Sequence, residues 1–61
     1  MIRTLIVDAA ALARQGVRLR LAGEPDVEIV GEAVDGPQAI DMIGSLLPDL
    51  VYLDVQMPGC D

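Results

Sequence analysis

IRTLIVD, residues 2–8, is an apolar run that stops at an acid, and LVYLD, residues 50–54, repeats the pattern. Short continuous apolar runs of this kind suit strands buried on both faces, as in a parallel sheet. Two helical patterns and another strand lie between them. Ala9 to Ala22 reads as a helix, with Ala13, Val17 and Leu21 recurring every fourth residue and Leu12 and Gly16 alongside. Gly16 costs roughly 1 kcal/mol against Ala inside a helix, which points to close packing there. Gly23 is read as the C-cap, and Pro25 forbids continuation. Val27 to Val34 (VEIVGEAV) alternates at its start and is rich in β-branched residues, so it reads as a strand on which Glu28 and Glu32 share one wetter face. Asp35-Gly36-Pro37 is a turn into a second helix, with Asp35 its cap and Pro37 near the first helical position. Ala39, Ile40, Ile43 and Leu47 keep the helical period until Pro48, and VQMPGCD, residues 55–61, reads as a loop.

The order is therefore strand, helix, strand, helix, strand. Connections of this length join parallel strands, so the class is α/β. Ligands of such sheets sit outside the carboxyl ends of the strands. Asp8 and Asp54 stand at two such ends.

Composition narrows the chemistry. The chain has 61 residues, enough for one small domain with a thin core. One Cys and no His exclude an internal disulfide, a zinc finger and any His-based triad within it. No apolar run approaches a membrane span and no signal-peptide core opens the chain, so the expected location is cytoplasmic, away from membranes. Residues 1–20 hold all four Arg and one acid, whereas residues 21–61 hold nine acids and no base. A segment so charged is not expected to bind nucleic acid directly, because little offsets phosphate repulsion. Oxygen-only donors suit Mg²⁺, which keeps several waters and often meets a phosphate. A carboxylate beside Mg²⁺ can attack a phosphoryl group and form an acyl phosphate. Acids that merely end strands are the plainer alternative.

MIRTLIVD, LARQGVRLRL, VEIVGEAVDGPQAIDMI and PDLVYLDVQMPG together resemble the receiver domain of bacterial two-component response regulators. The likeness runs through the whole chain, and LDVQMPG is its most specific part. It implies a truncated flavodoxin-like (CheY-like) α/β fold, with the three strands ordered 2-1-3 as in the family's longer sheet. By position, Asp54 matches the phosphoacceptor. Asp8 matches the first member of the acidic pair that holds Mg²⁺, and Gln56 the residue whose backbone carbonyl is a further ligand. Pro58 and Gly59 match the turn that shapes the following loop. The implied partner is a sensor histidine kinase. The implied output is a DNA-binding domain in the parent protein, and the motifs look slightly more like LytTR-type than NarL-type regulators. The module itself is not expected to be an enzyme. A phosphatase that uses strand-end carboxylates would want an acid where Gln56 stands.

Two departures from the family pattern matter. Ala9 and Ala10 follow Asp8, where the family usually carries another acid, so Mg²⁺ binding is expected to be weakened. Residues 1–61 also correspond to only the N-terminal half of a receiver domain, without the family's Ser/Thr and Lys that contact the phosphoryl group. A third strand left at an edge, with bare sheet faces, is expected to drive self-association. The competing reading is a phosphorylation-independent pseudo-receiver or inactive fragment that acts only through protein–protein association.

Overall fold

The computed structural model describes residues 1–53. Its elements are β1 (Ile2–Val7), α1 (Ala11–Leu21), β2 (Val27–Ala33), α2 (Gly36–Leu46) and β3 (Leu50–Leu53). The three strands form a parallel sheet in the order β2-β1-β3, as expected. β1 lies in the middle because it is the most continuously apolar strand. Thr4, Leu5, Ile6 and Val7 are all fully buried. The Thr4 hydroxyl donates to the Ile2 carbonyl at 3.3 Å, so its burial leaves no orphaned donor.

β2 pairs with β1 from Ile2–Val27 to Thr4–Ile29, then resumes at Leu5–Gly31, skipping Val30. One extra residue in a strand reverses which side chains face which side of the sheet. Glu28 and Glu32 therefore lie on opposite faces, contrary to the alternation read from the sequence. Glu28 lies 3.9 Å from Arg3, whereas Glu32 pairs with Arg14 and Arg18 of α1.

α2 covers the face that carries Leu5, Val7 and Ala33. These three form the core with Ala39, and Met42 and Val51 pack against it. Gly31 makes the close approach possible. A Cβ there would sit 3.0 Å from Leu46 Cδ1 and 3.4 Å from Leu5 Cδ1. Ala39, Met42 and Leu46 thus form the buried stripe of α2, while Ile40 and Leu47 are 70% and 74% exposed. The expected stripe is rotated because Leu46 and Met42 fill the hollow over Gly31. At the start of α2, Asp35 Oδ1 accepts the Gln38 N–H and Gln38 Oε1 accepts the Val34 N–H, each at 2.8 Å. The cap expected of Asp35 is present, and the Gln38 side chain adds a bond back to the residue before it. Leu47 ends the helix in a left-handed conformation (φ 49°). The following Pro48 disfavours right-handed helical geometry at that residue.

α1 lies on the other face and is shorter than expected. Val17 is its one buried residue among those described, and Leu12 and Leu19 are exposed. Ala13 is exposed as well. Close packing does not explain Gly16, where a Cβ would meet nothing within 4 Å. Ala22, not Gly23, is the C-cap: its conformation is right-handed and its N–H donates to the Arg18 carbonyl at 2.9 Å. β3 is less buried than its composition suggested, with Leu50, Tyr52 and Leu53 all exposed. Pairing with β1 on one side only leaves them uncovered among the described residues.

Gly31→Leu is expected to lower stability by about 1–3 kcal/mol through overpacking against Leu46 and Leu5. Urea unfolding checks this, with Gly16→Ala as a comparison that should be neutral or stabilising.

Candidate functional site

The carboxyl edge of the sheet is built by register. Asp49 holds β3 against β1: its Oδ2 accepts the Arg3 N–H at 2.9 Å and its N–H donates to the Arg3 carbonyl at 2.7 Å. The Arg3 guanidinium also donates to the Leu46 carbonyl at the end of α2. From that anchor the ladder runs from Thr4–Leu50 to Val7–Leu53. β1 and β3 therefore end side by side, and the chain leaves both strands at the same edge.

Asp8 is the first residue beyond β1 and is only 8% exposed. Burying a carboxylate is costly unless its oxygens and backbone are bonded. Its N–H donates to the Ala33 carbonyl at 3.0 Å, extending the β1–β2 ladder. Its Oδ1 accepts the Ala10 N–H at 2.8 Å, closing a turn at the start of α1. Its carbonyl accepts from the Arg14 guanidinium at 2.7 Å. Asp8 also lines an open cavity of about 450 Å³, with Ala13, Gly16, Val17, Arg20, Tyr52 and Leu53. Position 9 adds no oxygen donor, because Ala9 has only a methyl group. No group of three or more Asp, Glu, Cys or His side chains comes together among the described residues. The donor chemistry of Asp8 suits a hard cation such as Mg²⁺. Asp54, Gln56, Pro58 and Gly59 lie outside the described residues.

The sequence pattern did not reveal a charge cluster beside Asp8. Glu32 Oε1 accepts from Arg14 Nε at 2.9 Å, and Glu32 Oε2 accepts from Arg18 Nε. The Arg18 hydrogen bond is the main influence holding the Glu32 carboxyl below its ordinary value of 4.5, with Arg14 adding to it against partial burial. The one legible signal was the four-residue spacing of Arg14 and Arg18, which sets both on one side of α1. By itself that spacing reads as a solvated helix surface. Their partner escaped notice because the skipped Val30 turns Glu32 toward α1.

Residues 4–61, nearly the whole chain, match the response regulator receiver domain. The chain belongs to that family. Receiver domains take part in two-component signalling, interact with histidine kinases and typically bind Mg²⁺. As modules they are generally non-enzymatic. The chain is 49% identical over its full length to a protein-glutamate methylesterase/protein-glutamine glutaminase 1 of Methanosarcina mazei, covering 17% of that protein. It is 48% identical over 95% of its length to the transcriptional regulatory protein BtsR of Salmonella typhi, covering 24% of it. Identity to the transcriptional regulatory protein LiaR of Bacillus subtilis is 38% over the full chain, covering 29% of LiaR. The chain thus spans less than a third of each of these relatives. Among the described residues, no helix is long and apolar enough to cross a membrane.

Glu32 gives the site a pH signature. A carboxyl with a lowered folded-state pKa adds stability above its unfolded pKa, and that stability is lost as pH falls through the folded value. The urea midpoint is therefore expected to fall more steeply below pH 4.5 for the wild-type chain than for Glu32→Gln. High salt should shrink the difference, because the Arg18 side of the cluster is exposed.

Proposed function

We propose that this receiver accepts a phosphoryl group on Asp54 from a sensor histidine kinase. The reading is carried by the pairing of Leu53 with Val7. Residue 54 follows Leu53 in sequence and Asp8 follows Val7, which supports a cation site shared by the two carboxylates. In the transfer, an Asp54 carboxylate oxygen forms a bond to phosphorus as the bond from phosphorus to the kinase histidine nitrogen breaks. Asp8, Asp54 and the Gln56 backbone carbonyl would hold Mg²⁺, which neutralises charge on the transferred group. Pro58 and Gly59 match the positions at which the family's loop-shaping turn stands. Ala9 would offer the cation no carboxylate, so weaker binding is expected.

The much greater length of the matched relatives supports a parent protein with an output part beyond the receiver, and we place it in the cytoplasm. Relatives named as transcriptional regulators support a DNA-binding output, with no direct nucleic-acid contact from this acidic segment. The methylesterase relatives support an enzymatic output instead, so the receiver alone does not determine what it controls.

Incubation with acetyl phosphate and Mg²⁺ tests the reading by intact mass. A gain of one phosphoryl group is expected, absent in Asp54→Asn. Ala9→Asp should raise the yield and tighten Mg²⁺ binding by roughly tenfold, the lower end for metal-site partners. Labelling that persists in Asp54→Asn overturns the assignment.

A second reading is favoured by Ala9 and by the exposed Leu50, Tyr52 and Leu53 of β3. In it, the chain works by self-association through the third strand or a sheet face, independently of phosphorylation. Light scattering after size exclusion should then give a dimer or larger species that Tyr52→Lys dissociates. A monomer at all concentrations counts against it.

A further inference from the structure

We infer that Arg14, itself held by Glu32, is a positioning residue that sets the Asp8 carboxylate for cation binding. The inference rests on the reading of Asp8 as a cation ligand and extends it to a residue that does not touch the cation. Arg14 is the side chain that joins α1, β2 and the end of β1. Its Nε donates to Glu32 at 2.9 Å and its other donor reaches the Asp8 carbonyl at 2.7 Å. Its side chain is 15% exposed, against 48% for Arg18. The Asp8 carbonyl lies beyond the last β1–β2 register pair, Val7–Ala33. The Arg14 guanidinium supplies the donor for it there. With the Asp8 N–H bonded to Ala33 and its Oδ1 bonded to Ala10, this third bond fixes the residue at both ends of its backbone. A ligand held this way loses little further freedom on binding, which matters most where Ala9 offers no second carboxylate.

Charge and position predict opposite signs. Arg14 is a cation near a cation site, so its charge alone opposes metal binding. If charge were all, Arg14→Met and Arg18→Met would both tighten binding, since each removes one positive charge. Positioning requires Arg14→Met to weaken it. Arg18 bonds to Glu32, whereas the Asp8 carbonyl is held by Arg14, so Arg18→Met keeps that grip.

The test is Mn²⁺ binding to the full chain, read by the electron paramagnetic resonance signal of the free ion. Urea unfolding of each variant runs in parallel. Arg14→Met is expected to raise the Mn²⁺ dissociation constant by roughly tenfold, the lower end for groups that orient metal ligands. Arg18→Met should hold it within about twofold, as expected of an exposed charge. Arg14→Lys retains one donor and should lie nearer the wild type than Arg14→Met. The Ala10 amide should also exchange faster with solvent in Arg14→Met than in Arg18→Met, because its acceptor is no longer held. If Arg14→Met does not fold, the Arg14→Lys and Arg18→Met pair decides alone: weaker binding in Arg14→Lys supports the inference, and equal binding overturns it. Asp8→Asn separates the two claims. Unchanged binding in Asp8→Asn removes the cation role of Asp8, and this inference falls with it. Lost binding in Asp8→Asn with unchanged or tighter binding in Arg14→Met overturns this inference alone.

Discussion

β1 is paired on both edges and covered on both faces, and the rest of the structure depends on that confinement. Its last four residues are fully buried, so they tolerate only apolar or internally bonded side chains. Two strands align against it in parallel. Parallel pairing sends all three carboxyl ends to one edge, and helices return the chain to the other. The edge is therefore where residues distant in sequence meet. Asp8 stands there because β1 ends at Val7, and β3 ends beside it because Asp49 clamps the start of that strand to Arg3.

The same confinement explains why the neighbourhood of Asp8 is bonded so fully. A buried carboxylate next to an apolar strand needs donors. The backbone of Ala10 and the guanidinium of Arg14 supply them, to its side chain and to its carbonyl. Glu32 in turn balances Arg14 and ties α1 to β2. The polar cluster stabilises the packing of α1, whose one buried residue among those described is Val17. A helix with so few buried side chains depends more than α2 does on charged contacts. These are weaker at low pH and high salt.

The sequence made the three strands and the Asp35 cap legible, because each rests on local chemistry, whereas the strand order came from the family resemblance. A continuous apolar run, a Pro or an Asp before a helix carries its meaning within a few residues. What stayed hidden depends on alignment between strands. The skipped Val30 reverses the faces of Glu28 and Glu32, and no local pattern announces it. The buried stripe of α2 follows Gly31 on a neighbouring strand, not the hydropathy of α2, which left Ile40 looking as apolar as Met42. Gly16 and Gly23 misled because no helix or strand among the described residues packs closely on the first and α1 ends at Ala22 without using the second. Asp8 and Asp54 were read as a pair from the strand ends and the family resemblance, and that pairing remains the proposal made above, with Asp54 outside the described residues.

The central claim is that a hydrated divalent ion binds at the shared end of β1 and β3. Paramagnetic broadening of backbone amide resonances during a Mn²⁺ titration tests it most directly. The account predicts that Asp8, Ala10 and Leu53 broaden first and together, while Val27, Leu47 and other residues at the opposite edge stay sharp. First broadening around Glu24, Asp26 and Glu28, with Asp8 and Leu53 unaffected, would contradict it.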